Sequence, residues 1–240
     1  MNQNPIPNRL SGSPVTPSML GVRPDARLAT AFLSQAFLWM FAGLLLSAGV
    51  AWAVQSNEQL LGFARDSFLL LVIGQLALVF VISGAINRIN ASVALLLFFV
   101  YAATLGVTLG LIVSLYSQAS VVTAFLSASS MFGAAALYGA VTKRSLTGLG
   151  GILAMGVVGL IVAMVINLFL ASAMITWVVS VVGVVIFTAL TAYDVQRIGA
   201  GDLAAMTGSM EKAAVLGALR LYLDFINLFL FMLRLLGGRN

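Results

Sequence analysis

Seven continuous apolar runs dominate this chain, at about 29–54, 68–86, 91–116, 121–141, 148–172, 174–197 and 213–236. A helix needs about 20 mostly apolar residues to cross the hydrocarbon core of a bilayer, and each run meets or approaches that length. The runs are apolar throughout and do not alternate as the strands of a membrane β-barrel must. No soluble domain fits between them, since the longest connection runs only from about Ile198 to Lys212. The composition agrees. Hydrophobic residues make up 61% of the chain and charged residues 8%, against about 25% charged in an ordinary soluble domain. Twelve Lys/Arg and seven Asp/Glu cannot cover the surface of a soluble protein of 240 residues. A soluble enzyme is excluded, and so is a disordered chain. The fold class is an all-α membrane protein with seven transmembrane helices.

The organisation is simple. Residues 1–28 are polar and hold Pro5, Pro7, Pro14, Pro17 and Pro24, which suits a flexible tail. Residues 29–240 form a single seven-helix transmembrane domain. The first apolar run is too long and begins too late to be the core of a signal peptide. Positive residues give the orientation. Arg9, Arg23, Arg27, Arg88, Lys143, Arg144, Arg197 and Lys212 all fall on one side if the N-terminus is cytoplasmic, and the opposite loops carry Arg65 beside Glu58 and Asp66. The net charge of +5 is therefore a topology signal, and no nucleic-acid partner is expected. The last run conflicts with this scheme, because a full crossing places Arg234 and Arg239 outside. A re-entrant or deeply buried last helix would relieve the conflict. Short loops and no targeting segment suit a bacterial inner membrane. The four-residue spacing of Ala102, Gly106 and Gly110, and of Ser129 and Gly133, predicts close helix contacts.

Chemistry is confined to a few groups. The chain has no Cys and no His, which removes thiol catalysis, disulfides, an imidazole base and the usual zinc site. Nothing calls for a cofactor. Two acids stand within or at the edge of apolar runs: Asp194 after the run ending Thr191-Ala192-Tyr193, and Asp224 inside Arg220-Leu221-Tyr222-Leu223-Asp224-Phe225-Ile226-Asn227. An acid at membrane depth costs roughly 2.5–3.5 kcal/mol on insertion scales and usually faces the bundle interior with a partner. If the two meet, they cannot both be charged cheaply, so the pair shares one proton and can act as a switch. Deprotonated, the pair can accept a hard cation such as Ca²⁺. The simpler alternative is local neutralisation: Arg220 is four residues from Asp224 on one helix face, and Arg197 is three from Asp194. Asn227, one turn beyond Asp224, would either contact a cation or bond a neighbouring helix. Arg88 ends the second span as a topology anchor, or reaches into the bundle to a carboxylate. Gln75, within the second span, is expected to make a packing hydrogen bond.

The string Gly217 to Gly237, with Leu221-Tyr222-Leu223-Asp224-Phe225-Ile226-Asn227 at its centre, closely resembles the signature of the Bax inhibitor-1 family. The Ala192-Tyr193-Asp194 ending of the sixth span fits the same pattern. The likeness covers about residues 27–238. It implies a central last helix wrapped by three helix pairs, and a link to pH-dependent Ca²⁺ leak. It further implies that Asp194 and Asp224 form the pH sensor and gate, and that the same two carboxylates are the Ca²⁺ ligands. Arg88 stands at the position of an arginine that serves as a latch to an aspartate. Tyr193, Tyr222, Arg220 and Asn227 are candidate pore or ion contacts. Two positions depart from the pattern. Gln75 stands nearest to a carboxylate that some relatives carry, which weakens any ligand role there. Arg220 replaces a small polar residue, and its charge could move the gating pH or repel a cation.

Three functions compete. The first is a pH-sensitive Ca²⁺ or cation leak gated by the two aspartates, with the protein not an enzyme. The second is regulation of a membrane-bound quality-control protease, as associated with some bacterial relatives, with the tail as handle. The third is an intramembrane aspartyl protease, suggested by Tyr193-Asp194 and by Gly199-Ala200-Gly201-Asp202. That reading is weak, because Asp202 follows Asp194 by only 8 residues and falls in a loop.

Overall fold

The computed structural model describes residues 26–238. The expected tail at 1–28 lies almost wholly outside the described residues, as do Arg9, Arg23 and Arg239. Nine α-helices follow in the described residues: α1 (Ala26–Gln55), α2 (Glu58–Asp66), α3 (Phe68–Ala85), α4 (Ala91–Val113), α5 (Gln118–Val141), α6 (Gly150–Leu170), α7 (Ala173–Gly199), α8 (Asp202–Thr207) and α9 (Met210–Leu236). Seven of them are long and apolar enough to cross a membrane, namely all but α2 and α8. The protein is an integral membrane protein of seven apolar helices, as the runs predict.

Polar residues mark the helix starts. Asn57, Ser117, Ser172 and Ser209 each accept a backbone N–H of the first turn with their side-chain oxygens, satisfying donors that a helix leaves open. The two short helices are not evident from the apolar runs. In α2 the residues are mixed, with Ala64 buried and Phe63 exposed. In α8 the chain is bracketed by Gly201 at φ +77° and Gly208 at φ +63°, left-handed values that glycine adopts without strain. A turn of 3₁₀-helix at Thr147–Leu149 leads into α6.

The core is built around α9. Of its most apolar stretch 78% is buried, against 11–44% for the other six spans. Helices α1, α4, α5 and α7 pack on it, and α8 joins them at one end. Helix α3 packs on α4, and α6 on α7. Helix α9 also runs the full height of the bundle. At its start Lys212 Nζ donates to Asn87 O in the α3–α4 turn at 3.5 Å. At its end Gly238 N donates to Ser120 Oγ at 3.0 Å, next to the α4–α5 turn. Those two turns are the opposite ends of α4, so α9 neither re-enters nor stops half-way. Arg234 consequently lies at the end opposite Arg88, Lys143, Arg144, Arg197 and Lys212, which together make one end of the bundle basic.

Small residues set the closest contacts, though not all at the predicted places. Ala102, Gly106 and Gly110 form one buried stripe of α4. A Cβ on Gly106 would meet Ser47 O at 2.8 Å, and one on Gly110 would meet Ala51 O at 2.9 Å. Here the spacing correctly marks the α1–α4 contact. Gly133 has open space around it. The contact stripe of α5 is instead Ala124, Ala128, Phe132, Ala136 and Gly139, with Gly139 pressed on the carbonyl of Ala192 in α7. Ser129 and Gly133 have the right spacing on the wrong face, because spacing alone does not say which face a helix turns inward.

Candidate functional site

The register of α7 and α9 sets Asp194 level with Arg220 and Asp224 one turn away. Ile198 Cδ1 lies 3.1 Å from where a Gly217 Cβ would be. Asp194 meets Arg220, and Gly183 meets Phe231. These pairs define one antiparallel register that places Arg220 opposite Asp194. Asp224 lies four residues further along α9, or about 6 Å deeper from the basic end at 1.5 Å per residue. The start of α9 overhangs the end of α7 by roughly 8 Å on the same measure, and α8 packs against both helices there.

The centre of the site is a cross-helix ion pair. Arg220 Nη1 donates to Asp194 Oδ1 at 3.1 Å. Asp194 and Asp224 are 5% and 4% exposed, and they interact electrostatically with each other and with Arg220. Asp224 Oδ2 is buried without a hydrogen-bond partner. Such an oxygen is costly to leave bare and is a place for a proton or a cation to bind. The arrangement is an acid–arginine–acid triad. Local neutralisation within each helix is not what forms: Arg220 bonds across to Asp194 rather than along its own helix to Asp224. Arg197, which could have served Asp194, pairs through Nε with Asp202 Oδ2 at 3.6 Å, although its charge still reaches Asp194.

The other sequence-nominated residues fall around this triad or away from it. Tyr193 accepts from Arg197 Nη1 at 3.2 Å and has the same guanidinium over its ring at 5.5 Å. Its hydroxyl also packs on Gly150 at the start of α6. Tyr222 is fully buried, in a 2.6 Å hydrogen bond with Ser47 of α1, its ring edge-on to Phe98 and Tyr101 of α4. Asn227 donates to Leu223 O one turn back at 2.8 Å. Arg88 is exposed in the α3–α4 turn. It lines an open cleft of about 630 Å³ with Lys212, Glu211, Ser209 and Asn90. The cation on Asp194 in this structure is Arg220. Gln75 makes the packing bonds expected of it, to Thr104 O at 3.0 Å and Thr108 Oγ1 at 2.7 Å. Asp202 lies on α8 and is almost fully buried beside Arg197. Among the described residues no three carboxylates cluster as a metal cage would need.

Two contributors were not visible in the sequence. Ser47 is one serine in an apolar run, with no charge or motif to mark it. Gln196 clamps the α5–α6 turn to α7, accepting from Leu146 N at 2.7 Å and donating to Arg144 O at 2.8 Å. Its place near Tyr193-Asp194 was the available signal.

Fold and site together define a polytopic α-helical membrane protein with an ion-paired acid cluster inside its last two spans. Comparison with known proteins narrows the class. The family model described as "Inhibitor of apoptosis-promoting Bax1" matches residues 29–240. Inner membrane protein YbhL of Escherichia coli K12 is 42% identical over 225 residues, covering 91% of this chain and 96% of its own. An uncharacterized protein of Borreliella burgdorferi is 43% identical, over 87% of this chain and 92% of its own. Uncharacterized protein YrjE of Lactococcus lactis is 38% identical, over 86% and 90%. The chain belongs to the Bax inhibitor-1 family.

Proposed function

We propose that this protein is a pH-sensitive leak pathway for Ca²⁺ or related cations, gated by Asp194 and Asp224, in a bacterial inner membrane. One observation carries the proposal: at the α7–α9 interface Arg220 pairs with the buried Asp194, and the buried Asp224, four residues along α9, has a carboxylate oxygen with no partner. A buried charge set of this kind is costly in a membrane and is retained where protons or ions are handled. With one proton on the acids, the three groups are neutral together and the Arg220–Asp194 pair holds α7 to α9. Without that proton the two acids outnumber the arginine, repel, and leave oxygen ligands for a hard cation. Arg88, at the basic rim, is the candidate partner for an acid released from Arg220. The core beyond the acids is filled by Phe225, Phe229 and Leu228, which suits a closed state. The basic end is placed in the cytoplasm by the positive-inside rule.

The test is Ca²⁺ flux into proteoliposomes over a series of buffers from acid to mildly alkaline, for wild type and for the two aspartate variants. Wild type should show flux that follows a titration. Asp194→Asn and Asp224→Asn should each lose that pH dependence. Folded wild type with no flux above empty liposomes at any pH overturns the reading.

A further inference from the structure

The register orders the charges along the route that a cation would take. From the basic end, Arg220 and Asp194 come first, at one level. Asp224, with its unpartnered and fully buried Oδ2, comes one turn deeper. Burial follows a similar order. The Arg220 side chain is 31% exposed, whereas that of Asp194 is 8% exposed and Asp224 is 4% exposed as a residue. Arg220 is therefore the most exposed of the three groups, level with Asp194 and one turn nearer the basic end than Asp224.

We infer that Arg220 is a tethered cation: its guanidinium occupies the position on Asp194 that a mobile cation would take, and so limits cation access to Asp224. This rests on the proposed leak function. Arg220 has the geometry for the role. A guanidinium is always charged, so it cannot vacate by losing its proton. Its pair with Asp194 spans two helices, so the block lasts as long as α7 and α9 keep their register. Its own helix offers a second carboxylate, Asp224, four residues away on the same face. Electrostatic repulsion of an incoming cation adds to the steric block, most strongly for a divalent ion.

The chain has no cysteine, so a single one at this position can be modified cleanly. Arg220→Cys should raise Ca²⁺ flux into proteoliposomes at neutral pH by about fivefold or more, the factor that corresponds to roughly 1 kcal/mol of lost repulsion. Treatment with a methanethiosulfonate that attaches an ethylammonium group restores a positive charge and should bring the flux back toward wild type. A neutral methyl reagent should leave it high. A purely structural role for Arg220 predicts no difference between the two reagents, and that result overturns the inference. So does an unmodified variant with wild-type flux. If Arg220→Cys does not fold, Arg220→Gln carries the same expectation of raised flux, and unchanged flux in it is equally decisive. Wild type that conducts with variants that do not differ defeats this inference alone. Absence of flux in wild type and all folded variants defeats the leak reading, and this inference with it.

Discussion

Among single residues, the hydrogen bond between Ser47 and Tyr222 shows how a hydroxyl ties the central helix to its neighbours. Ser47 Oγ lies 2.7 Å from Ala102 O, 3.0 Å from Gly43 O and 2.6 Å from the Tyr222 hydroxyl. Serine has one proton, and only its donation can satisfy a carbonyl. Tyr222 must therefore be the donor to Ser47. The two truncations differ as a result. Ser47→Ala strands the phenol of a fully buried tyrosine and should cost about 1–2 kcal/mol. Tyr222→Phe leaves Ser47 bonded to carbonyl oxygen and should cost about 0.5 kcal/mol, near the average for hydrogen bonds between membrane helices. Reversible unfolding in mixed micelles measures both. Tyr222→Phe proving the more damaging would show the donor assignment to be reversed. The acids belong to the same scale. The sequence nominated Asp194, Asp224 and Arg220 because charge inside an apolar run is conspicuous. It could not nominate Ser47, since a serine in a membrane helix ordinarily satisfies itself on its own backbone.

The elements are held by their closest approaches. Where α5 crosses α7, Gly139 leaves no room for a Cβ against the carbonyl of Ala192, whose Cα would lie 2.9 Å from it. Backbone cannot step aside as a side chain can, so Gly139→Ala must separate the helices. The expected loss is about 1–3 kcal/mol, as for overpacking of a tight core. The same substitution at Gly133, six residues earlier on the same helix, meets nothing within 4 Å. Gly133→Ala should be neutral or stabilising by up to about 1 kcal/mol, because alanine is the better helix former. Melting temperatures of the two variants in detergent decide the matter, and equal losses would mean that the α5 face is assigned wrongly. The sequence pointed to Ser129 and Gly133 and not to Gly139, since small residues recur along α5. Only the packing of α5 against both α7 and α9 selects the inward stripe. The helices α2 and α8 were likewise illegible. Neither has an apolar run of its own, and each forms because neighbouring spans give it a surface to lie on.

Across the whole molecule, the bundle has a basic end and an opposite end to which α9 delivers Arg234. Exposed Ser145 lies at the basic end and exposed Gln59 at the other. In intact cells a membrane-impermeant maleimide should label Gln59→Cys and spare Ser145→Cys, with the cysteine-free parent as blank. The opposite pattern would turn the molecule over and reverse the side from which Arg220 guards the acids. The seven spans, their order and the uneven distribution of positive charge follow from the amino-acid sequence alone, because bilayer thickness and the cost of burying charge act on each segment independently of the others. The same reasoning exposed the two acids and the arginine as groups needing partners. Who partners whom was decided only by the tertiary structure. Helical periodicity fixes the face a residue occupies but not the height at which one helix meets the next. Here α8, bracketed by its two left-handed glycines, fills the step between the end of α7 and the start of α9. That stagger brings Arg220 level with Asp194 and leaves Asp224 a turn deeper with a bare oxygen.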